Sequence, residues 1–299
     1  MAKSVIKTEN LTKYYGKNLG VESLNLEIKE GEVFGYLGLN GAGKTTTIRL
    51  FLNFINPSSG NVSIFGLDPT KESHKLNDFI GYLPGEVHLY ERLSGRDHLK
   101  YQASLRNKVD WSYVETLADR FNANLHKPIR SLSHGNKQKI ALIAAFMVKP
   151  KLLILDEPTT GLDPLIQREF YNLVAEVNKE GTTVFISSHI LPEVERICHR
   201  VGIIRSGNLV VTEDIENLKK KAIRPIEVHF TKAPKVEIFQ KIPGINNPVL
   251  HDNILRANIK GTMDPLIKEL AKYEVENLIT AEPDLEQIFL NYYSGVSDA

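Results

Sequence analysis

One short motif near the N-terminus constrains the fold more than any other part of the chain. It reads Gly-Leu-Asn-Gly-Ala-Gly-Lys-Thr over residues 38–45 and fits the pattern G-x-x-x-x-G-K-[S/T] of a phosphate-binding P-loop. Its glycines let the backbone curl so that successive N–H groups point toward one phosphate, and a helix beginning near Gly43 adds its positive dipole end. Lys44 can reach between the β- and γ-phosphates, and the Thr45 hydroxyl can ligate Mg²⁺. The motif therefore predicts nucleotide binding.

The residues on either side of this loop supply the context that it needs. Residues 32–37 are an apolar run typical of a strand, and residues 46–52 have the pattern of a helix. A strand, a glycine-rich loop and a helix in this order are what a P-loop requires. We therefore expect a nucleotide to contact Gly38, Asn40, Gly41, Ala42, Gly43, Lys44, Thr45 and Thr46.

Size, charge and cysteine content exclude several classes of protein. At 299 residues the chain is long enough for one large domain and a smaller one. Its formal net charge of +1 favours neither nucleic acid nor an anionic membrane surface. The single cysteine, Cys198, excludes an internal disulfide and a cysteine-rich zinc site. The polar start and the short apolar runs predict a cytoplasmic protein that reaches a membrane only through a partner.

The order of apolar segments predicts the larger domain. Residues 4–36 suggest small antiparallel strands, and a helical pattern follows over residues 95–122. Helices over 133–148 and 164–179 then alternate with apolar strands. This alternation favours an α/β domain over residues 1–218, with a mainly parallel sheet flanked by helices and a terminal hairpin over 201–212.

The character of the sequence changes after about residue 218. Residues 219–225 read as a linker. Beyond it, the order strand, helix over 234–242, two strands, helix over 264–273 and strand predicts a small α+β, ferredoxin-like domain over 219–299. A final helix is expected over 285–293.

A second motif places two carboxylates at the end of an apolar strand. Residues 152–158 read Leu-Leu-Ile-Leu-Asp-Glu-Pro. A buried parallel strand would deliver both acids to its C-terminal end, beside the P-loop. Asp156 would then hold Mg²⁺ through its water shell, and Glu157 would orient and deprotonate the attacking water in phosphoryl transfer. The alternative is an acidic strand end that caps the next helix, and the upstream P-loop favours the catalytic interpretation.

A third motif opens a helix. Residues 130–138 place Ser133 in the N-cap position, and on sequence alone a plain capped helix is the simpler interpretation. With the two motifs above, however, the segment resembles the ATP-binding cassette (ABC) family, whose signature L-S-G-G-Q reads Leu-Ser-His-Gly-Asn here. The resemblance implies that Ser133 and the backbone N–H of Gly135 bind the γ-phosphate held by a second subunit. His134 and Asn136 depart from the signature.

Three more residues match positions of this family. The resemblance implies that His189, after an apolar strand, is the switch histidine that contacts the γ-phosphate. It places Asp163 in the loop that links the two sites of the family's dimer, and this residue can also cap a helix. Tyr15 matches the aromatic ring that stacks on adenine, with Tyr14 as the alternative.

One element of the family is missing. Gly85 stands where the family usually has a glutamine after a strand, and Glu86 follows it. We expect Glu86 to replace that glutamine as a metal or water ligand. The other motifs occur in the family's order within residues 4–218.

The resemblance implies the ATP-hydrolysing subunit of a transporter, with ATP and Mg²⁺ as cofactors. It implies two partners, a separate integral membrane permease and a second copy of the chain arranged head to tail, and no nucleic acid. Residues 132–139 and 283–293 resemble multidrug, antibiotic or lipid exporters. A groove near residues 82–100 would receive the permease. The alternatives are an antibiotic-immunity ATPase, a soluble ABC ATPase acting on ribosomes or nucleic acid, and an importer ATPase with a regulatory C-terminal domain.

Overall fold

The computed structural model describes residues 3–106, 109–221, 223–280 and residue 289. Its internal contacts divide the chain into two compact units, unit 1 over residues 1–212 and unit 2 over residues 213–299. The predicted final helix over 285–293 lies outside the described residues except at position 289. The predicted domain boundary after residue 218 falls inside the helix Ile215–Lys221.

Unit 1 contains nine strands and seven helices among its described residues, the last strand reaching past the division. In chain order they are β1 (Ser4–Tyr15), β2 (Asn18–Lys29), β3 (Val33–Leu37), α1 (Lys44–Phe51), β4 (Ser59–Ile64), α2 (Pro69–Leu76), β5 (Ile80–Leu83), α3 (Gly95–Ser104), α4 (Trp111–Arg120), α5 (His134–Phe146), β6 (Leu152–Asp156), α6 (Pro164–Lys179), β7 (Thr183–Ser188), α7 (Leu191–Ile197), β8 (Arg200–Arg205) and β9 (Asn208–Asp214).

The central sheet has six strands in the order β5-β6-β7-β3-β8-β9. The pairs from β5 to β8 are parallel, which confirms the predicted α/β fold. Strands β3, β6 and β7 are buried on both faces, as expected for apolar strands covered by helices. Leu37 pairs with Ser188, and Asp156 pairs with Ser187, so three strands end at one edge of the sheet. That edge carries the candidate site.

A second, antiparallel sheet has the order β2-β1-β4. The prediction of small antiparallel strands over residues 4–36 is correct in direction for β1 and β2 and wrong in their length, because each runs for 12 residues. It is wrong for residues 33–36, which belong to β3 and pair in parallel with β7 and β8. Gly16 lies in the turn between β1 and β2, at a φ of +60° that favours glycine.

Helices α5 and α6 lie where the sequence pattern predicts them, whereas α2 and α7 were not predicted. The segment over residues 95–122 also differs. The helical pattern over residues 95–122 corresponds to two helices, α3 and α4, and Asp110 caps the second by accepting the N–H of Ser112 at 3.0 Å. Helix α6 has the predicted bounds, and α5 begins one residue after Ser133. A short 3₁₀ helix, Ile129–Ser131, leads into α5.

Aromatic rings fill the core beneath the P-loop. The ring centroid of Phe185 lies 5.3 Å from those of Tyr36 and Phe51. The Tyr36 hydroxyl lies 3.2 Å from the Thr47 hydroxyl of α1. Because burial disfavours the phenolate, the pKa of Tyr36 is raised, and this ring stays neutral. The packing fixes α1 against β3 and so fixes the loop between them.

Unit 2 is a small α+β domain. Its elements are α8 (Ile215–Lys221), β10 (Ile223–Phe230), a 3₁₀ helix (Val236–Lys241), β11 (Ile245–His251), β12 (Ile254–Lys260), α9 (Asp264–Leu270) and β13 (Val275–Thr280). The sheet order is β11-β12-β10-β13 with antiparallel neighbours, which is the predicted ferredoxin-like arrangement. The predicted helix over 234–242 is instead a short 3₁₀ helix, since prolines at 234 and 243 bound a segment too short for stable α-helix.

Among the helices within the described ranges, none combines the length and apolar character that crossing a bilayer demands.

Candidate nucleotide-binding site

The P-loop joins β3 to α1 in the conformation that its glycines permit. Gly41 and Gly43 have φ values of +80° and +111°, in the left-handed region. A Cβ atom on Gly43 would lie 2.5 Å from the carbonyl oxygen of Gly20, so only glycine fits there. The N–H of Ala42 donates to the carbonyl oxygen of Leu39 at 3.1 Å, which closes the loop. The chain then enters α1 at Lys44.

The ammonium group of Lys44 is buried and surrounded by oxygen atoms. Its Nζ donates to the carbonyl oxygens of Gly38 at 2.7 Å and Leu39 at 3.2 Å. It also lies 3.2 Å from Oε1 of Glu157. A buried cation is stable only with such partners, and phosphate oxygens could satisfy the same three donors. The structure thus brings the P-loop lysine and the second acid of the strand motif together.

Asp156 and Thr45 meet as the predicted metal ligands should. The Thr45 hydroxyl donates to Oδ2 of Asp156 at 2.8 Å, and the Ser187 hydroxyl donates to Oδ1. Asp156 is 1% exposed at the end of β6. No group of three or more His, Cys, Asp or Glu side chains suited to a metal exists in the described parts of the chain. Two protein oxygens nevertheless fit Mg²⁺, which keeps several waters and binds substrate phosphates.

Glu157 combines an uncommon backbone conformation with two charged contacts. Its φ is +48°, which costs a non-glycine residue about 1–2 kcal/mol. Its N–H is held 3.1 Å from both the carbonyl oxygen and the hydroxyl oxygen of Ser187. Its carboxylate lies between Lys44 and His189, with Oε2 3.2 Å from Nδ1 of His189. Strain of this kind persists where surrounding contacts enforce it, often at functional sites.

The signature residues contact a different part of the same chain. The hydroxyl of Ser133 caps α5 by accepting the N–H of Asn136 at 3.3 Å. A Cβ atom on Gly135 would lie 2.7 Å from the carbonyl oxygen of Gly161, and the His134 ring packs against Gly161. The exposed N-terminus of α5 therefore lies against the loop that follows Glu157.

Asp163 has the capping role that was one of its two predicted interpretations. Its Oδ1 accepts the N–H of Ile166 at 3.0 Å and begins α6. Its Oδ2 lies 3.9 Å from Nζ of Lys139 on α5. The contact is at the limit of an ion pair, and the cap is the stronger interaction.

The two candidate stacking tyrosines differ in their surroundings. Tyr15 is partly exposed, and its ring borders Gly20, whose Cβ position is 3.0 Å from both Tyr15 Cε2 and Thr46 Cγ2. Tyr14 instead donates its hydroxyl to Glu22 at 3.1 Å, which raises the pKa of Tyr14. Tyr15 is therefore the ring that lies beside the helix of the P-loop.

The loop after β5 presents its backbone to the site. A Cβ atom on Gly85 would lie 3.2 Å from Oδ2 of Asp156. Burial and the charge of Asp156 raise the pKa of Tyr82 to about 12. The Glu86 side chain is 93% exposed, and its ionic contact is with His88, 3.8 Å away. In this structure the loop thus brings Gly85, and not the Glu86 carboxylate, to Asp156.

Two supporting residues were not predicted from the sequence. Ser187 bonds both Asp156 and Glu157, and Gln138 donates to the carbonyl oxygen of Pro158 at 3.1 Å. Ser187 could have been predicted, because a serine at the end of an apolar strand lies next to the two acids of the neighbouring strand. Gln138 could not, because its contact depends on how α5 packs.

Comparisons with known proteins identify the family to which this chain belongs. The family model described as ABC transporter matches residues 21–160, a range that includes all three motifs. The bacitracin transport ATP-binding protein BcrA of Bacillus licheniformis is 34% identical, with 98% of each chain covered. The chain belongs to the ABC transporter ATP-binding proteins. The linearmycin resistance ATP-binding protein LnrL of Bacillus subtilis is 30% identical over 96% of this chain and 97% of that protein.

A solved structure shares the fold of this ABC protein. It is described as the ATP-binding subunit of an ABC transporter, and it has 28% identity and a TM-score of 0.68. The match covers 72% of this chain and 92% of that one. The chain is thus an ABC-type ATPase, and the predictions of the fold, of ATP binding and of ATP hydrolysis are confirmed.

Proposed function

We propose that this ABC ATPase powers a separate membrane permease, and that two copies hydrolyse ATP at sites shared between them. The observation that carries the proposal is the position of the Glu157 carboxylate between Lys44 and His189, next to Asp156 and Thr45. This set supplies phosphate binding, metal binding and a base at one edge of the sheet.

The roles follow from the atoms that each group presents. The curled backbone of residues 38–43, with Lys44, Thr45 and Thr46, binds the phosphates of ATP, while Tyr15 stacks on adenine. Thr45 and Asp156 would hold Mg²⁺, whose preference for oxygen ligands their side chains fit, and the ion would supply charge neutralisation at the phosphates. Glu86 is retained as a further candidate ligand, although its carboxylate would have to turn inward from its exposed position.

Glu157 is the general base in this proposal. Its carboxylate accepts a proton from the water that attacks the γ-phosphate, and His189 steadies that carboxylate and contacts the γ-phosphate. Lys44 leaves its contact with Glu157 for the phosphate oxygens when ATP binds, which frees the carboxylate for the water. The 3.2 Å distances on both sides of Glu157 support this division of roles.

The second copy completes the site. The hydroxyl of Ser133 and the N–H of Gly135 stand at the exposed N-terminus of α5, a place that binds anions. The Ser133 hydroxyl accepts the N–H of Asn136, which leaves its proton able to donate to a γ-phosphate oxygen of another chain. The N–H of Gly135 lies in the first turn of α5, where N–H groups have no partner within the helix. Asp163 links the two sites. The closed pair is stabilised only while the γ-phosphate is present, so hydrolysis reopens it.

The permease docks on the helical part of unit 1. Tyr90 is 56% exposed there, and its ring packs edge-on against that of Tyr101 at 5.3 Å. Aromatic rings that are exposed in this way are common at binding surfaces. Leu93 lies in the same turn, where its N–H donates to the carbonyl oxygen of Tyr90 at 3.0 Å. We place the ATPase on the cytoplasmic face of the membrane through this contact. The names of BcrA and LnrL favour an antibiotic exporter over an importer.

The proposal is tested by isolating the tagged chain from its native membranes in mild detergent and identifying the proteins that accompany it. We expect a polytopic membrane protein whose association changes with ATP for the wild type and not for Lys44→Ala. Recovery of ribosomes or nucleic acid, or of no partner in either variant, would contradict the permease assignment.

A further inference from the structure

A buried carboxylate in α7 joins two segments of the candidate site. Glu193 lies in α7 and is 9% exposed. Its Oε1 accepts a hydrogen bond from the Thr159 hydroxyl, and its Oε2 accepts one from the Ser188 hydroxyl at 2.7 Å. Burying a carboxylate is costly unless its oxygens are paired, so this one holds both hydroxyls in place.

Each of these hydroxyls belongs to a segment that carries a group of the site. Thr159 follows Glu157 by two residues, and Ser188 directly precedes His189. The side chain of Glu193 thus spans from the loop of the general base to the end of the strand that presents the histidine. Glu157 and His189 are 3.2 Å apart at their nearest polar atoms, a distance that depends on both segments.

The same carboxylate is linked to the P-loop through Ser188. The Ser188 carbonyl oxygen accepts the N–H of Gly38 at 3.1 Å, and its hydroxyl oxygen accepts the N–H of Ile190 at 2.9 Å. The single hydroxyl proton has two acceptors within reach, the carbonyl oxygen of Ile190 at 3.3 Å and Oε2 of Glu193 at 2.7 Å. The shorter, charge-assisted contact with Glu193 is the stronger of the two. Three segments of the site therefore share one buried network.

The network also supports the strained backbone of Glu157. The Ser187 hydroxyl accepts a hydrogen bond from the N–H of Glu157, and the Gln138 amide donates one to the carbonyl oxygen of Pro158. Glu193 supplies the next restraint, on the hydroxyl of Thr159. Left-handed φ values at non-glycine residues survive only where neighbours enforce them, and these three side chains do so.

We propose that Glu193 is a positioning residue for ATP hydrolysis, which fixes the Glu157 carboxylate relative to His189. It touches neither of them and acts through Thr159 and Ser188. The inference rests on the proposed function, because it assumes that Glu157 is the base. Small displacements of a reacting group lower the rate strongly, so loss of Glu193 acts on kcat rather than on ATP affinity.

The test compares three variants at this residue and its partner. Glu193→Ala removes both acceptors, and we expect kcat to fall by about tenfold to a hundredfold with an unchanged Kd for ATP. Glu193→Gln keeps one side-chain oxygen as an acceptor and gains an amide N–H, which can donate to the Thr159 hydroxyl oxygen. We therefore expect kcat to stay within about threefold of the wild-type value. Thr159→Val preserves volume, removes one donor, and lowers kcat by an intermediate factor.

A matched control separates positioning from stability. Glu32 is a second buried glutamate, 8% exposed, which accepts the N–H of Lys29 and pairs with Arg200, each at 2.8 Å. It precedes β3, at the opposite end of that strand from the P-loop. Glu32→Ala should therefore lower Tm as much as Glu193→Ala does, while kcat remains at the wild-type value.

Two results would overturn the inference. The first is that Thr159→Val and a folded Glu193→Ala both hydrolyse ATP with the wild-type kcat. The other is an equal loss of kcat in Glu32→Ala. If Glu193→Ala does not fold, Thr159→Val alone decides the question, since its buried volume is unchanged. Measured in parallel, Glu157→Gln with full turnover would refute the proposed base itself, which keeps the two failures distinct.

Discussion

Nδ1 of His189 lies 3.2 Å from Oε2 of Glu157, at the ends of two adjacent parallel strands. The other oxygen of the same carboxylate lies 3.2 Å from the Lys44 ammonium. One carboxylate is thus held between the residue that follows β7 and the first residue of α1. The conformation of the Glu157 carboxylate therefore depends on both the P-loop lysine and the histidine.

The histidine should matter for turnover and not for nucleotide binding. His189→Ala removes the contact that steadies the Glu157 carboxylate, so we expect kcat to fall by about a hundredfold, within the usual range for acid–base contributions. The Kd for ATP should change by less than about threefold, because the phosphates are held by the P-loop. Equilibrium binding and phosphate release measure the two quantities, and a large loss of affinity with normal kcat would contradict the role.

The P-loop glycines should differ in their tolerance of a side chain. Both Gly41 and Gly43 have positive φ, but a Cβ atom would meet nothing within 4 Å at Gly41 and the Gly20 carbonyl oxygen at 2.5 Å at Gly43. Gly43→Ala should lower ATP affinity by at least about tenfold, since the loop must shift away from its phosphate-binding shape. Gly41→Ala is the matched control with the smaller loss. Equal losses in the two variants would count against the observed loop geometry.

The signature serine should be needed for pairing of two chains. Ser133→Ala removes an N-cap, which costs about 1 kcal/mol, and also removes the hydroxyl proposed to meet the partner's γ-phosphate. We expect normal ATP binding by the single chain and loss of the ATP-dependent dimer in size-exclusion chromatography.

Another N-cap serine supplies the control for that experiment. Ser94 caps α3 by accepting the N–H of Asp97 at 3.1 Å, so Ser94→Ala costs similar stability. This variant should still form the ATP-dependent dimer. The shared site would be refuted if Ser133→Ala formed the dimer as readily as the wild type.

A buried histidine should make stability fall in mild acid. His98 is buried in α3, burial lowers its pKa, and its Nδ1 has no hydrogen-bond partner among the described residues. Below about pH 6.5, His98 is protonated in the unfolded chain but remains neutral in the folded chain, because its pKa is lowered there. The free energy of unfolding therefore decreases as the pH falls. Urea unfolding at pH 7.5 and 5.5 should show a smaller decrease for His98→Leu than for the wild type. The same decrease in both would show that other groups cause it.

The sequence motifs predicted which elements meet at the candidate site. The P-loop, the acid pair after β6 and the histidine after β7 each carry a local pattern, and parallel strands bring them to one edge. The contacts that hold these residues together join segments far apart in the sequence, and no local sequence pattern indicates them. The support of Glu157 by Ser187 and Gln138 comes from tertiary packing, which local propensities do not encode.

Two differences between prediction and structure have identifiable causes. The helical pattern over 95–122 is divided into α3 and α4 because Asp110 starts a new helix, and the apolar pattern alone did not show this division. The expected ligand Glu86 is exposed, because the loop after β5 turns the backbone of Gly85 toward Asp156.

The most direct test of the central claim is the Glu157→Gln variant, measured for ATP affinity, turnover and association state. The amide cannot take a proton from water, so we predict wild-type ATP affinity, a loss of kcat of at least about a hundredfold, and accumulation of an ATP-bound dimer. Wild-type turnover in this variant would contradict the assignment of Glu157 as the base and, with it, the account of how the site works.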